Sequence, residues 1–201
     1  MTAGLIQTVE RFSNICPYFD IPIQHASDAV LRRMGRAYTQ ADLIRLFESI
    51  RAKIPHAALR TTILVGFPGE TEADIDLLAR LMTRVQFDHL GVFAYSDADD
   101  LPSHQLGAHV ESRKAQARLD RLMELQKEIS EEKLARMDGR TVPVLVEKEA
   151  EPGIYAARSM FQAPEVDGSV LIRSDHPLQP GTWATVKIME THAYDLVGEI
   201  Q

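Results

Sequence analysis

One stretch near the middle of the chain constrains the fold most: an apolar run that breaks into a glycine- and proline-rich turn. Residues 61–65 are all threonine or branched aliphatic, and Gly66, Pro68 and Gly69 follow at once. An apolar run without alternation is typical of a strand that is covered on both faces, as in a parallel sheet. Thr71, with an acid three residues later, is typical of a helix start. The stretch therefore predicts a strand, a tight turn and a helix.

A turn of this kind lies at the carboxyl end of a parallel sheet, the edge where α/β folds bind ligands. Its glycines would let the backbone approach a ligand closely, and N–H groups at the helix start would favour an anionic group. The turn lacks the Lys-Ser or Lys-Thr pair of a P-loop and the G-x-G-x-x-G pattern of dinucleotide-binding folds. A turn that needs glycine only for its own geometry is an equally good interpretation.

Strands and helices alternate along the first two thirds of the chain. This alternation predicts a parallel sheet with right-handed crossovers. The predicted strands lie at 18–23, 59–65 and 89–95, and the predicted helices at 3–14, 27–34, 40–53, 72–85 and 112–137.

The pattern changes at Asp138, where short alternating runs separated by glycine and proline begin. We predict five strands and a small closed barrel of OB-like size, with Tyr155 and Trp183 in its core. The division is therefore residues 1–137 and residues 138–201. The five strands are expected near 141–148, 153–159, 168–173, 183–190 and 194–199.

Composition narrows the classes of function. A net charge of −7 argues against a general nucleic-acid binder, which is usually basic. The one cysteine, Cys16, can form neither an intrachain disulfide nor a metal site of three or four cysteines. Because no apolar run reaches the length of a membrane span, we expect a cytoplasmic protein without a membrane partner.

Several of these stretches resemble one enzyme family. Residues 16–27, 31–36 and 59–71 are similar to the second half of the radical-SAM domain of methylthiotransferases, and the terminal barrel is similar to their TRAM domain. Residues 158–168 resemble the RimO-type branch, which methylthiolates an aspartate of ribosomal protein S-twelve. The resemblance implies an α/β fold: a partial parallel βα barrel followed by a small antiparallel OB-like barrel. The alternatives are a tRNA methylthiotransferase and a non-catalytic docking module.

The sequence departs from this family in important places. The family has a cluster-binding domain and a C-x-x-x-C-x-x-C motif whose thiolates hold the 4Fe-4S cluster that cleaves S-adenosyl-L-methionine. Neither is in this sequence. The resemblance implies S-adenosyl-L-methionine and two 4Fe-4S clusters in a complete enzyme, whose cluster ligands this chain lacks. We therefore expect a carboxyl-terminal half that is inactive alone and self-associates through the unpaired strand edge at 18–23. The family also usually has Asp at Gln162 and a Gly-Thr pair within 97–101.

The resemblance also implies a cofactor site at the carboxyl edge of the sheet. Gln24 would help hold S-adenosyl-L-methionine, Arg36 would bind its carboxylate, and Thr62 would bind its ribose. Each has a plainer interpretation, respectively a cap of the sheet end, a solvated helix end and a buried strand threonine. His25 is expected to be a hydrogen-bonded residue of the rim. The adenine side of the pocket would be formed by Gly66, Pro68, Gly69, Glu70, Tyr95 and Ser96.

The charge of the terminal part bears on its partner. Residues 138–201 contain ten acidic and five basic side chains, which is unfavourable for a phosphate backbone. A basic ribosomal protein is therefore the favoured partner over RNA, with Glu165 and Asp167 as contacts. Charge that only confers solubility would explain the same composition.

Overall fold

Three parallel strands form the sheet of the first part of the chain, as predicted. The computed structural model describes residues 2–201. The strand order is β1-β2-β3. The elements are α1 (Ala3–Arg11), β1 (Tyr18–Asp20), α2 (Asp28–Arg33), α3 (Gln40–Lys53), β2 (Ala58–Val65), α4 (Glu72–Val85), β3 (His89–Ala94), a 3-10 turn (Pro102–Gln105) and α5 (Ser112–Ala135).

The first strand is shorter than predicted because a proline interrupts its ladder. Ile21 N still donates to Arg60 O at 2.9 Å, but Pro22 has no N–H to donate. The chain pairs with β2 again at Gln24, which forms an isolated bridge to Ile63. β1 lies at one edge of the sheet, and self-association through this edge stays a prediction.

Side-chain caps explain where three of the helices begin. The Ser27 hydroxyl accepts a hydrogen bond from Val30 N at the start of α2. Thr39 and Thr71 each donate a backbone and a side-chain hydrogen bond to the aspartate three residues later. The Thr39 hydroxyl also accepts a hydrogen bond from Asp42 N at 3.3 Å, which satisfies one N–H group that the first turn of a helix leaves free. The predicted bounds of α3 and α4 are therefore confirmed.

The two faces of the sheet differ sharply. On β2 the residues Leu59, Ile63 and Val65 are buried against the helices, whereas the alternate residues Arg60 and Thr62 are only half-buried. Strand side chains alternate between faces, so the helices cover one face and leave the other open. Helical residues of the same core include Ile6, Leu43, Phe47, Ile50, Ile75, Leu78, Met82, Leu122 and Ile129.

The second part of the chain is a closed five-stranded barrel in the order β4-β5-β6-β8-β7. Its strands are β4 (Thr141–Glu151), β5 (Ile154–Arg158), β6 (Val170–Arg173), β7 (Trp183–Thr191) and β8 (Leu196–Ile200). Every neighbouring pair is antiparallel except β6 and β8, which are parallel. The predicted small antiparallel barrel is confirmed with one parallel pair, because a ring with an odd number of strands cannot alternate direction throughout.

The barrel core includes Tyr155, as predicted, but not Trp183. Tyr155 is buried, whereas 66% of Trp183 is exposed. Trp183 lies opposite Leu145 on the outer face of the barrel, and the next residue, Ala184, packs against the core. The prediction for Trp183 is therefore wrong: neighbouring residues of a strand face opposite sides, and it is Ala184 that faces the core.

Candidate cofactor site

The open face of the sheet forms a half-buried surface that combines polar and apolar groups. Thr62 lies next to Gly91 in the parallel register, and Leu64 lies next to Phe93. The Phe93 side chain is 57% exposed although it is large and apolar. In a closed βα barrel this face would point inward, so the surface suits a ligand with both polar and apolar parts.

Gln24 and Thr62 come together at the carboxyl end of this surface. Gln24 N donates to Thr62 O at 2.9 Å, and Leu64 N donates to Gln24 O at 2.8 Å. Gln24, four residues after β1, has a φ of 62° in the left-handed region, so the chain bends sharply at its last pairing with β2. Both residues are half-buried.

Three N–H groups of the turn after β2 have hydrogen-bond partners within the chain. Gly66 N donates to Glu70 Oε1 at 2.8 Å, Gly69 N to Ala108 O at 2.7 Å, and Glu70 N to Phe67 O at 3.0 Å. Pro68 has no N–H group. These three groups are not free to bind an anion. Anion binding by the N–H groups at the start of α4 stays a prediction.

The glycines of the turn are explained by close packing within the chain. Gly66 and Gly69 have φ angles of 80° and 83°, which side chains of L-residues rarely adopt. A Cβ on Gly66 would lie 2.6 Å from Ala115 Cβ, and one on Gly69 would lie 2.7 Å from Arg33 Cζ. The interpretation in which the turn needs glycine for its own geometry is therefore favoured. The Pro68 carbonyl oxygen accepts a hydrogen bond from Arg33 Nε at 2.9 Å.

The carboxylate of Glu70 is buried beneath this turn. Its Oε1 accepts hydrogen bonds from Gly66 N and from Arg118 Nη1, both at 2.8 Å. Its Oε2 lies 3.3 Å from His25 Nε2, and the exposed fraction of both side chains is 0%. Glu70 thus joins the end of β1, the turn after β2 and helix α5. The side chain is turned away from a ligand on the open face.

The hydrogen bonds of His25 fix which ring nitrogen carries the proton. Nδ1 accepts from Ala26 N and from Ser27 N, both at 2.9 Å. An accepting Nδ1 carries no proton, so the proton lies on Nε2, which is 3.3 Å from Glu70 Oε2 without making a hydrogen bond to it. His25 is therefore a hydrogen-bonded residue below the rim, as predicted.

Of Arg33, which ends α2, and Arg36, which follows that helix, it is Arg33 that donates a hydrogen bond to the turn. Besides its contact with Pro68, Arg33 Nη2 donates to Gly107 O at 3.1 Å. Arg36 is exposed. Burial raises the pKa of Tyr38, and the nearby positive charge of Arg36 opposes this rise. The Tyr38 hydroxyl donates to Ile23 O at 2.9 Å. The role of Arg36 towards a carboxylate stays a prediction.

Tyr95 and Ser96 lie beside the turn, where β3 ends. The Tyr95 ring contacts the Phe67 ring edge-on, with 5.2 Å between centroids. The Tyr95 hydroxyl lies 2.9 Å from Asp97 Oδ1 and 2.8 Å from Ser103 Oγ. Ser96 is exposed. The structure thus brings the predicted residues of β2 and β3 to one edge.

Two arginines that hold this edge together, Arg33 and Arg118, were missed by sequence reasoning. Arg118 had a detectable signal, because it occupies a core position in the helical series Ala115, Arg118, Leu122. A buried arginine requires an acidic partner, which the structure supplies as Glu70. Arg33 gave no comparable signal, because it pairs only with backbone carbonyls.

The two predicted partner contacts of the barrel, Glu165 and Asp167, differ in how far their side chains are exposed. Glu165 is exposed, with a φ of 66°. The side chain of Asp167 is only 1% exposed, and its carboxylate contacts Tyr18 and Arg60 of the sheet. Asp167 therefore is not presented to a partner, which corrects the expectation. The family departure Gln162 is also internal: its Oε1 accepts hydrogen bonds from both the N–H and the hydroxyl of Ser159 at 3.0 Å.

Metal ligands and membrane-spanning helices are both missing from the part of the chain that the structure describes. Among residues 2–201, no group of three or more His, Cys, Asp or Glu side chains is arranged to hold a metal ion. Cys16 is exposed and not in a disulfide. Every helix in the same range is too short or too polar to cross a membrane.

Comparison with known proteins agrees with this geometry. The radical SAM superfamily matches residues 3–82, and the TRAM domain matches residues 139–200. A protein of Desulfosudis oleivorans named ribosomal protein uS12 methylthiotransferase RimO is 51% identical over all 201 residues. Over its whole length, this chain is similar to one part of the RimO-type proteins. Proteins of the same name from Clostridioides difficile and Fervidobacterium nodosum are 42% and 44% identical over 100% and 94% of the chain.

The chain spans less than half the length of these relatives. It covers 46%, 45% and 43% of the three RimO proteins respectively. What is shown for the chain is therefore a partial radical SAM domain joined to a TRAM domain. The activity for which the relatives are named belongs to those longer proteins.

Proposed function

We propose that this chain provides part of the cofactor-binding sheet and the substrate-docking barrel of a radical SAM methylthiotransferase that acts on an aspartate of ribosomal protein uS12. The observation that carries the proposal is the carboxyl edge of the sheet, where Gln24 and Thr62 meet beside the turn after β2. The similarity over the whole chain to proteins named for this activity supports the substrate assignment.

S-adenosyl-L-methionine fits the open face of the sheet. The Thr62 hydroxyl and the Gln24 amide are half-buried polar groups, which suit a ribose and an amino-acid moiety. Leu64 and Phe93 supply neighbouring apolar surface for an adenine ring. The buried network of Glu70, Arg118 and His25 would hold this edge rigid without touching the cofactor.

The 4Fe-4S clusters do not fit the residues of this chain. A cluster of this kind requires three thiolates from the protein, and the chain has one cysteine. Cluster chemistry would supply the radical that removes a hydrogen atom from the target aspartate, with ligands from outside these 201 residues. The chain's own contribution is to bind and orient the cofactor and the substrate.

The acidic barrel favours the protein substrate over the tRNA alternative. Residues 138–201 have twice as many acidic as basic side chains. A field of this sign repels phosphates and steers a basic ribosomal protein to the barrel. Glu165 is the exposed acid of the family-specific loop and is the proposed contact. A ribosomal substrate would place the reaction in the cytoplasm.

Cofactor binding is tested by NMR titration of the ¹⁵N-labelled chain with S-adenosyl-L-methionine at millimolar concentration. We expect amide shifts confined to the region of Gln24, Thr62 and the turn. Thr62→Val should weaken binding roughly tenfold through loss of one hydrogen bond. The matched control, Thr83→Val, changes an exposed threonine of α4 and should bind like the wild type. Shifts elsewhere only, or binding unaffected by Thr62→Val, would contradict the proposed site.

A further inference from the structure

A loop of the barrel reaches across to the sheet and buries an acid there. The loop spans 159–168, between β5 and β6. Asp167 Oδ2 accepts a hydrogen bond of 2.6 Å from the Tyr18 hydroxyl. Asp167 Oδ1 lies 3.4 Å from Arg60 Nε and 3.5 Å from His89 Nδ1. The three partners come from β1, β2 and β3, so one carboxylate contacts every strand of the sheet.

A second contact ties the same loop to β3. His89 Nε2 lies 2.7 Å from Phe161 O. Because a carbonyl oxygen only accepts, Nε2 carries a proton and donates it to the loop. The loop is also braced from within, since Asp167 Oδ2 accepts from Ala163 N at 2.8 Å and Gln162 holds Ser159. The loop therefore meets the sheet as a preformed shape.

These contacts lie at the end of the sheet opposite to its carboxyl edge. We call the carboxyl edge, where Gln24 and Thr62 meet beside the turn after β2, the cofactor edge. Arg60 and His89 are paired in the register near the amino ends of their strands. Gly66, at the cofactor edge just after β2, is six residues beyond Arg60. This separation corresponds to roughly 20 Å along an extended chain. The loop thus anchors the barrel below the sheet, away from the rim.

One attachment of the barrel is its covalent connection through α5. Leu134 in the last turn of α5, and Met137 after it, pack against the barrel core. The contacts of Asp167 form a second and separate attachment. Two attachments fix an orientation that one attachment does not.

We propose that Asp167 is a positioning residue that fixes the orientation of the terminal barrel relative to the sheet. A buried carboxylate is stable only while its partners remain in place. Removing the charge of Asp167 therefore removes the attachment of the loop to the sheet. The orientation in turn sets where a protein docked on the barrel lies relative to the cofactor edge. Only this last consequence rests on the proposed function.

The chain carries its own pair of probes for this orientation. Trp183 is the single tryptophan and lies exposed on the barrel, and Cys16 is the single cysteine and lies exposed two residues before Tyr18. A fluorescent acceptor attached to Cys16 reports energy transfer from Trp183. Fluorescence lifetimes then give both the mean distance between the two parts and its spread.

We expect a narrow distance distribution in the wild-type chain and a broader, shifted one in Asp167→Asn. The equilibrium between docked and free barrel should shift at least roughly tenfold, from the loss of hydrogen bonds to a charged group. Tyr18→Phe, which removes one hydroxyl, should have a smaller effect in the same direction. Glu165→Gln changes an exposed acid of the same loop and should leave the distribution unchanged. Far-ultraviolet circular dichroism should be the same for all four proteins.

A wild-type distance distribution in Asp167→Asn, with unchanged secondary structure, would overturn the proposal. A catalytic readout separates positioning from simple stability. When the chain replaces the matching segment of the Desulfosudis relative, Asp167→Asn should raise the KM for uS12 without changing the affinity for S-adenosyl-L-methionine. If Asp167→Asn leaves this KM unchanged, the link to substrate placement is wrong. If the wild-type chimera does not modify uS12, the proposed function fails, and the energy-transfer result still decides the role of Asp167.

Discussion

At the scale of single residues, two buried acids hold the molecule in shape. Glu70 binds Gly66, Arg118 and His25 beneath the cofactor edge. Asp167 binds one residue from each strand at the opposite end. Each carboxylate joins segments that are far apart in sequence, so each converts a local charge into a tertiary constraint. The two acids therefore act by positioning other groups.

Glu70→Gln is expected to destabilise the first part of the chain by about 2–3 kcal/mol, because the substitution leaves the buried Arg118 with only the exposed Glu72 as a charged partner. The measurement is the free energy of unfolding from urea denaturation followed by circular dichroism. Glu72→Gln is the matched control, since Glu72 contacts the same arginine but its side chain is 69% exposed. The control should cost less than about 1 kcal/mol. Equal losses for the two variants would contradict the buried network.

The contact between Tyr18 and Asp167 predicts a dependence on alkaline pH. Burial raises the pKa of Tyr18, and the hydrogen bond to Asp167 raises it further. A tyrosine with a higher pKa in the folded state than in the unfolded chain stabilises the fold below the unfolded pKa of 10.0. This stability is lost as the pH rises above that value.

The measurement compares urea stability of the wild type and Tyr18→Phe between about pH 8 and pH 11. Other groups also titrate in this range, so only the difference between the two proteins is informative. We expect the advantage of the wild type to shrink as the pH rises through the upper part of the range. A constant difference across the range would contradict the buried hydrogen bond.

At the scale of elements, the turn between β2 and α4 is fitted tightly against the start of α5. Gly66 has a φ of 80°, and a Cβ added to it would lie only 2.6 Å from Ala115 Cβ. Both the backbone conformation and the space exclude a side chain at this position. The turn and α5 therefore form one packed unit under the cofactor edge.

Gly66→Ala is expected to lower the free energy of unfolding by about 2–4 kcal/mol, from backbone strain together with overpacking. Gly35→Ala is the matched control, because Gly35 has a φ of 69° but no atom within 4 Å of where its Cβ would lie. The control should lose only about 1 kcal/mol, the cost of the left-handed conformation. Thermal and urea unfolding measure both variants. A loss at Gly66 no larger than at Gly35 would show that the contact with Ala115 is not tight.

Local signals in the sequence were sufficient for the elements, and long-range contacts were not. Thr71 and its acid predicted the start of α4, because a helix cap depends on neighbouring residues only. The two-residue period of a strand puts Thr62 and Leu64 on the same face. In the structure this is the open face of the sheet. The direction of Trp183 was missed because an error of one residue in a strand reverses the face. Asp167 was misassigned because its partner Tyr18 lies 149 residues away, and no local pattern reports such a pair.

At the scale of the whole molecule, the cofactor edge and the barrel attachment lie at opposite ends of one sheet. The Gly66 turn marks one end, and the contacts of Asp167 mark the other. Helix α5 runs between them, with Arg118 at the cofactor edge and Leu134 in the barrel core. If the proposed cofactor and substrate sites are correct, a substrate docked on the barrel would have to extend along the sheet to reach the cofactor. Such an arrangement would suit a protein substrate larger than a short peptide.

The most direct test of the account is the mass of ribosomal protein uS12 after reaction with a reconstituted enzyme. The chain replaces the matching segment of the Desulfosudis relative, which is 51% identical to it and supplies the remaining part of that protein. With S-adenosyl-L-methionine, a sulfur source and a reductant, we predict a mass gain of one methylthio group on a single aspartate of uS12. The parent relative is the positive control. Unmodified uS12 in the presence of a folded chimera, or a methylthio group found on tRNA instead, would contradict the account.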